Sequence, residues 1–290
     1  MEYGIINKPA AWLYGEDLES RTDELFMGWA VGVLQKDRGW AKIVTHYGYT
    51  GYLRADAFCP CTKEDLANRD ECGRTVFVSR AFADIMAEPK VRSSSLATLA
   101  RGSFLTLLPE VAEGYRNVLL ADGREGYLPC VSYGLRRDRD GYLYEDGQET
   151  YFLRQRRPAR RQEALFRKQL TAYAKRYLGT QYRWAGKSPE GIDCSGFTFM
   201  CYLMCGILIY RDAALKAGYP VQKIRLSQVK PGDLLYFPGH IAMYIGNYRY
   251  IHATGHTGSF GCVINSLSPK DPDFRQDLAD TLSSAGTVIW

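Results

Sequence analysis

Gly191-Ile192-Asp193-Cys194-Ser195-Gly196-Phe197 is the stretch on which the reading of this chain turns. Its small and polar residues end at Phe197, and Cys201, Tyr202, Met204, Cys205 and Leu208 then recur at helical intervals. The pattern predicts a helix that starts at Cys194 and runs through Leu208. A thiol at that place meets first-turn amides that lack internal partners, at the positive end of the helix dipole. Such surroundings lower a cysteine pKa from about 8.5 toward roughly 3.5–7.5. Cys194 is therefore the candidate nucleophile, expected as a thiolate.

A nucleophile that cleaves amides needs a base, and the base needs an orienting partner. Of the four histidines, His240 opens His240-Ile241-Ala242-Met243-Tyr244-Ile245-Gly246 and His252 closes Tyr248-Arg249-Tyr250-Ile251-His252-Ala253. Both segments alternate as half-buried strands do and are bounded by glycines. Upstream, Phe166, Leu170, Tyr173 and Tyr177 fall on one face of a helix that ends before Gly179. Downstream, Pro231-Gly232-Asp233 turns into a strand over Leu234-Leu235-Tyr236-Phe237. Two more strands, Cys262-Val263-Ile264-Asn265 and Thr287-Val288-Ile289-Trp290, are expected to close an antiparallel sheet. Helices packed on such a sheet make an α+β domain.

In chain order, six blocks resemble those of the NlpC-type cell-wall cysteine peptidases. They are Tyr182-Arg183-Trp184-Ala185-Gly186, the Gly191–Gly196 block, Arg211-Asp212, Pro231–Phe237, Gly239–Gly246 and Ile251-His252-Ala253. The resemblance covers about Phe166 to Trp290. It implies a papain-like fold with Cys194 as nucleophile, His240 as general base and His252 as the residue that holds the imidazole. It further implies that the Tyr182 hydroxyl joins the Cys194 amide in stabilising an oxyanion, a structural tyrosine being the alternative. Asp193 and Ser195 either cap the helix or contact a substrate's polar main chain or carboxylate.

Asp212 has two readings, a helix N-cap or, by resemblance to relatives that act on peptides with a free amino terminus, a partner for the substrate's ammonium. Tyr210 stands where many relatives have proline, which leaves the local loop shape open. His256, in Thr254-Gly255-His256-Thr257-Gly258, reads as a surface residue.

The first half carries a repeat. Gly39-Trp40-Ala41-Lys42-Ile43-Val44 leads to Gly51-Tyr52-Leu53, and 75 positions later Gly114-Tyr115-Arg116-Asn117-Val118-Leu119 leads to Gly126-Tyr127-Leu128. In the second copy Ala83–Met86, Ser93–Leu99 and Gly102–Leu108 read as strands, and Asp122-Gly123 as a hairpin turn. In the first, Asp17 to Phe26 reads as an insertion. The repeats resemble bacterial SH3-like domains, which makes the expected fold two small all-β SH3-like barrels at 1–65 and 72–135 followed by the α+β peptidase domain at 162–290. The charged, aliphatic-poor 136–161 is expected to be a solvated linker. By resemblance to the same free-amine peptidases, the first barrel supplies Glu16 and Tyr49 to the substrate's ammonium. Aromatic residues that simply pack a small barrel are the plainer reading of Tyr49 and Tyr52.

With 46% hydrophobic and 24% charged residues, 290 residues can bury a core without disulfides. A net charge of +5 tolerates anionic wall polymers and is too weak to indicate nucleic acid. No run of 18 apolar residues indicates a membrane span, and Met1–Lys8 lacks the basic and apolar regions of an export signal. The expected location is cytoplasmic if the N-terminus is native, and periplasmic or secreted if a signal has been removed. Among eight cysteines, Cys201 and Cys205 read as reduced core residues, which leans toward a reducing compartment. Cys59-Pro60-Cys61 with Cys72 fits no common zinc spacing.

No metal or cofactor is expected. The partners are peptidoglycan-derived peptides, and the chain is expected to be a monomer. The expected activity is cleavage of the γ-D-glutamyl bond to lysine or diaminopimelate in stem peptides with a free L-alanine. The competing readings are an endopeptidase on glycan-linked stems with the barrels as wall anchors, an amidase that cuts the glycan-to-alanine bond, and an inactive binding protein, against which the three intact catalytic-type residues argue.

Overall fold

A computed structural model describes residues 1–145, 148–155 and 157–289. The chain divides at Gln148/Glu149 into two units.

The N-terminal unit is built from two sheets. The first contains β1 (Glu2–Ile6), β2 (Ala10–Tyr14), β3 (Arg21–Phe26), β4 (Ala30–Asp37), β5 (Trp40–Thr45), β6 (Thr50–Arg54) and β7 (Phe58–Cys61). After α1 (Lys63–Glu71), the second contains β8 (Thr75–Val78), β9 (Phe82–Met86), β10 (Ser95–Ala100), β11 (Phe104–Ala112), β12 (Tyr115–Leu119), β13 (Glu125–Pro129) and β14 (Tyr133–Leu135). Strand order is β3-β2-β6-β5-β4-β1-β7 in one and β10-β9-β13-β12-β11-β8-β14 in the other, which is the same order for two copies of one all-β, SH3-like plan. All pairings are antiparallel.

The shared Gly-Tyr-Leu has a physical cause. Leu53 and Leu128 point into the two cores while Tyr52 and Tyr127 face outward, as alternation along a strand requires. A Cβ at Gly51 would lie 2.6 Å from Leu13 and 2.8 Å from the Tyr14 carbonyl oxygen. At Gly126 it would lie 2.6 Å from Ile85 and 3.0 Å from the Met86 oxygen. Only glycine lets the equivalent strands approach so closely.

The segment expected to be an insertion contains a strand instead: Asp17 to Ser20 make the turn, and β3 pairs with β2 (Trp12 opposite Glu24), matching β10 on β9. Charged Asp23 and Glu24 hid the strand, since both are buried; Asp23 accepts a short hydrogen bond from the Tyr47 hydroxyl.

The solvated character expected of the segment after β14 does not hold at its start. The Arg136 side chain, Asp138 and Asp140 are buried, and α2 (Gly141–Tyr144) places Leu143 and Tyr144 against Ala30, Val44 and Leu66. The Arg136 guanidinium binds Asp138 and Asp140, both at 2.8 Å, so paired charges took the place of the water that their density in the sequence suggested. Asp146, Gly147 and Arg156 of the expected linker lie outside the described residues.

The C-terminal unit is the expected α+β arrangement. α3 (Glu163–Lys175) buries Phe166, Leu170 and Ala174, and Tyr177 is buried in the turn beyond it. The short β15 (Lys187–Ser188) and β16 (Gly191–Ile192) pair and lead into α4 (Cys194–Leu203). A six-stranded antiparallel sheet follows, in the order β17 (Gln222–Ile224), β22 (Ser284–Thr287), β18 (Leu234–Phe237), β19 (His240–Gly246), β20 (Arg249–Thr254) and β21 (Gly261–Ser266), with α5 (Gln276–Thr281) before β22.

α4 packs on β19, β20 and α3. It ends five residues short of Leu208, because the chain turns at Gly206 (φ 81°) and the Ile207 amide bonds back to the Tyr202 carbonyl. The last strand ends at Thr287, short of the expected span, and Trp290 lies outside the described residues.

Candidate active site

The site grows from the start of α4. Asp193 is the N-cap, in extended conformation, and its carboxylate accepts the Gly196 amide at 2.5 Å, so the capping reading of Asp193 is realised. A Cβ on Gly196 would lie 2.3 Å from the Gly186 carbonyl oxygen; the first turn is pressed against the 183–186 loop too closely for any side chain there.

Arg211, almost wholly buried, grips the cap from behind. It donates to both Asp193 oxygens (3.2 and 3.1 Å), to Ser195 Oγ (2.7 Å) and to the Ala185 carbonyl (3.2 Å). Its fork turns the cap into a rigid mount for Cys194.

The electrostatics at the sulfur depart from the sequence-based expectation. Cys194 is buried, and burial together with the neighbouring Asp193 carboxylate pushes its thiol up to about 11. The Ile241 and Ser195 amides and Arg211 act in the opposite sense and are outweighed. The helix start does supply donors, yet the anion that caps the helix and the loss of water win over them. Cys194 rests as a thiol at neutral pH.

His240 and His252 lie diagonally on one face of the sheet, since Met243 pairs with Ile251. His240 Nε2 is 2.7 Å from His252 Nδ1, and His252 Nε2 is 2.9 Å from Asn265 Oδ1. Burial lowers His240 to about 3, helped by His252 and Arg275; burial lowers His252 to about 4. Both rings are neutral at pH 7, ready to accept a proton. The amide contact of Cys194 with Ile241, the residue after His240, brings the sulfur to the same end of β19.

Tyr182 is tied by a parallel bridge to Ile192 and stays a phenol. Burial, and then the charges of Cys194 and Asp193, push it up to about 12, so its hydroxyl can donate in this cluster.

Tyr182, Asp193, Cys194, Ser195, His240 and His252 therefore gather in one place. Asp212 follows Arg211 and is half-buried; no helix begins there, which removes the N-cap reading, and the Tyr210 hydroxyl bonds to it. His256 sits in its turn, accepting the Gly258 amide at 3.2 Å.

Glu16 and Tyr49 belong to the N-terminal unit. Glu16 is exposed and 3.6 Å from Lys42, and the Tyr49 amide donates to Thr45 Oγ1 at 3.0 Å. Among the described residues no group of three or more His, Cys, Asp or Glu is placed to hold a metal, and no helix is long and apolar enough to cross a membrane.

In the sequence Arg211 stands out only as part of a block and Asn265 only as a strand end. The signal for Asn265 was the two-residue period that sets it diagonally across from His252.

Known proteins bear out the resemblance. The NlpC/P60 family pattern matches residues 179–270. A dipeptidyl-peptidase 6 from Lysinibacillus sphaericus is 34% identical over 98% of this chain and 99% of its own length. A γ-D-glutamyl-L-lysine dipeptidyl-peptidase from Bacillus cereus is 29% identical over 79% of this chain and 66% of its own. The crystal structure of an NlpC/P60 family protein from Bacillus cereus superposes with a TM-score of 0.73 over 98% of both chains, at 22% identity. Likeness along the whole length, centred on the block that mounts a cysteine beside two strand histidines, establishes that the chain belongs to the NlpC/P60 family of cysteine peptidases.

Proposed function

We propose that this peptidase hydrolyses the γ-D-glutamyl bond to an L-diamino acid in peptidoglycan stem peptides whose L-alanine amino group is free. The observation that carries the reading is the end-to-end match with the Lysinibacillus sphaericus dipeptidyl-peptidase 6, which spans the N-terminal unit as well as the C-terminal one. By contrast, a probable endopeptidase p60 from Listeria welshimeri is matched over only 29% of this chain. The Bacillus cereus relative, a γ-D-glutamyl-L-lysine dipeptidyl-peptidase by name, supports the same bond.

In this reading the resting thiol of Cys194 is activated by its base during attack. His240 takes the Sγ proton at Nδ1, because Nε2 is engaged with His252, while sulfur bonds to the scissile carbonyl carbon and the carbonyl π pair moves to oxygen. The Cys194 amide, at a helix start without an internal partner, and the Tyr182 hydroxyl donate to the oxyanion. Collapse breaks the C–N bond, and the leaving amine takes the proton from the imidazolium. Water then gives a proton to His240 as its oxygen attacks the thioester, and the second collapse releases the D-glutamyl γ-carboxyl and returns the proton to sulfur.

Asp212 receives the substrate ammonium, so an N-acylated peptide leaves its charge unpaired and binds poorly. Asp193 and Ser195 present their remaining polar surface to the substrate main chain.

The test is mass spectrometry of the products from L-Ala-γ-D-Glu-L-Lys and its N-acetylated form. Release of L-Ala-D-Glu from the free peptide alone, abolished in Cys194→Ala, is expected. Equal cleavage of both peptides would remove the free-amine specificity and favour glycan-linked stems.

A further inference from the structure

The two histidines do not end the hydrogen-bond chain. Asn265, on β21 and buried, lies beyond His252 and away from the sulfur. Its Nδ2 donates to the Asp273 backbone carbonyl at 2.9 Å, and a carbonyl oxygen can only accept. The carboxamide therefore has one allowed orientation, with nitrogen toward Asp273 and Oδ1 toward His252. Oδ1 can only accept as well, so the proton of His252 sits on Nε2. A neutral ring has one proton, which leaves His252 Nδ1 as a lone pair to accept from His240 Nε2–H. By the same count His240 is left with its lone pair on Nδ1, the atom the chemistry requires for removing the thiol proton.

We propose that Asn265 is a positioning residue that sets the tautomers of both histidines, by closing a one-directional hydrogen-bond chain that runs from His240 through His252 and Asn265 to the Asp273 carbonyl. The chain is anchored at its far end. The Asp273 carbonyl also accepts the Ser266 amide at 3.1 Å, and the Asp273 carboxylate is held by Arg249 at 2.6 Å. Reversal is blocked at each link, because flipping the Asn265 amide would face oxygen against the Asp273 oxygen. A proton on His252 Nδ1 would in turn oblige His240 to carry its own proton on Nδ1, where it could not serve as base.

The neutral amide matters too. Arg275 and Asp277 already act on both rings from outside the chain, and an amide adds orientation without adding charge.

This inference rests on the assignment of Cys194 and His240 to the chemistry, and its test reads out separately from that assignment. Proton–nitrogen correlation spectra of the histidine rings at pH 7 are recorded on the full chain and on Asn265→Leu and Asn265→Asp, with kcat and KM on the free tripeptide. The wild type is expected to show His240 and His252 both protonated at Nε2. Asn265→Leu removes the acceptor; His252 shifts toward the Nδ1–H form and kcat falls by roughly 10²-fold while KM stays within about 2-fold. Asn265→Asp keeps an accepting oxygen toward His252 and is expected to keep the Nε2–H form, with kcat between those of the wild type and Asn265→Leu because its second oxygen faces the Asp273 carbonyl.

An Nδ1–H form of His252 in the wild type overturns the proposal whatever the variants do. So does full activity in Asn265→Leu, or equal loss in both variants with wild-type ring spectra. Turnover surviving in Cys194→Ala would instead sink the catalytic assignment and leave the tautomer result standing.

Discussion

Arg136 in the N-terminal unit and Arg211 in the C-terminal unit are buried to the same degree, each with 2% of its side chain exposed. They do different things. Arg136, with Arg69, stands among three buried carboxylates, Asp70, Asp138 and Asp140, and His46 is 3.9 Å from Asp138. Arg139 Nε also lies 3.8 Å from Asp70, and the carboxylates divide by their surroundings. Burial and then the Asp140 charge push Asp70 up to about 6. Asp140 is held well below the usual range, because Arg136 and Arg69 overcome the effect of burial. Arg211 binds the Asp193 carboxylate, Ser195 Oγ and the Ala185 carbonyl. The N-terminal cluster, in which Asp70 is pushed up to about 6, fastens a segment of chain; the Arg211–Asp193 contact mounts a nucleophile.

Removing either arginine should have the largest effect. Arg211→Leu and Arg136→Leu each strand buried carboxylates, and each is expected to destabilise its own unit by about 3–5 kcal/mol, read as urea unfolding followed by amide exchange in that unit. The comparison sharpens on chemistry: Arg211→Leu should also lower turnover by roughly 10²-fold, since the cap that carries Cys194 loses its mount. Arg136→Leu should leave the alkylation rate of Cys194 unchanged. Equal effects of both on Cys194 would erase the distinction.

A smaller and opposite-signed pair of effects is expected with pH. His240 and His252 have folded pKa values of about 3 and about 4, below the unfolded 6.5, so their contribution is present above pH 6.5 and is lost as pH falls toward 3–4. Asp70 has a folded value of about 6, above its unfolded 3.8, so its contribution is complete below 3.8 and is lost as pH rises through 6. Amide exchange, corrected for intrinsic rates, should therefore show the C-terminal unit loosening and the cluster around α1 and α2 tightening when pH drops from 7 to 4.5. The same histidine values place the acid limb of kcat/KM below pH 5, and a limb near 6.5 would contradict the buried neutral pair.

The smallest effect concerns the order of thiol modification. At pH 7.5 iodoacetamide is expected to label the exposed Cys72 and Cys130 first. Cys194 should gain reactivity only as pH climbs above about 9, because its thiol is pushed up to about 11. Immediate selective labelling of Cys194 would restore the thiolate that its helix position suggested.

That last contrast shows where the sequence could be read and where it could not. Cys194 at a helix start, two histidines on strands, and the repeated Gly-Tyr-Leu were legible because each is a local pattern: capping chemistry, alternation, and a spacing of 75 residues. The chain by itself determined the order of its elements, the two β repeats, the α+β peptidase unit and the presence of a Cys–His–His constellation.

Tertiary structure alone decided the rest. It decided that Asp23, Glu24, Arg136 and Asp140 lie inside, that Arg211 closes on Asp193, that Cys194 rests as a thiol, and that Asn265 sits beyond His252 with its amide forced one way by Asp273. The physical reason is common to all of these. Charge state, tautomer and the burial of polar groups depend on partners distant in sequence and on the exclusion of water, and neither is encoded in local periodicity.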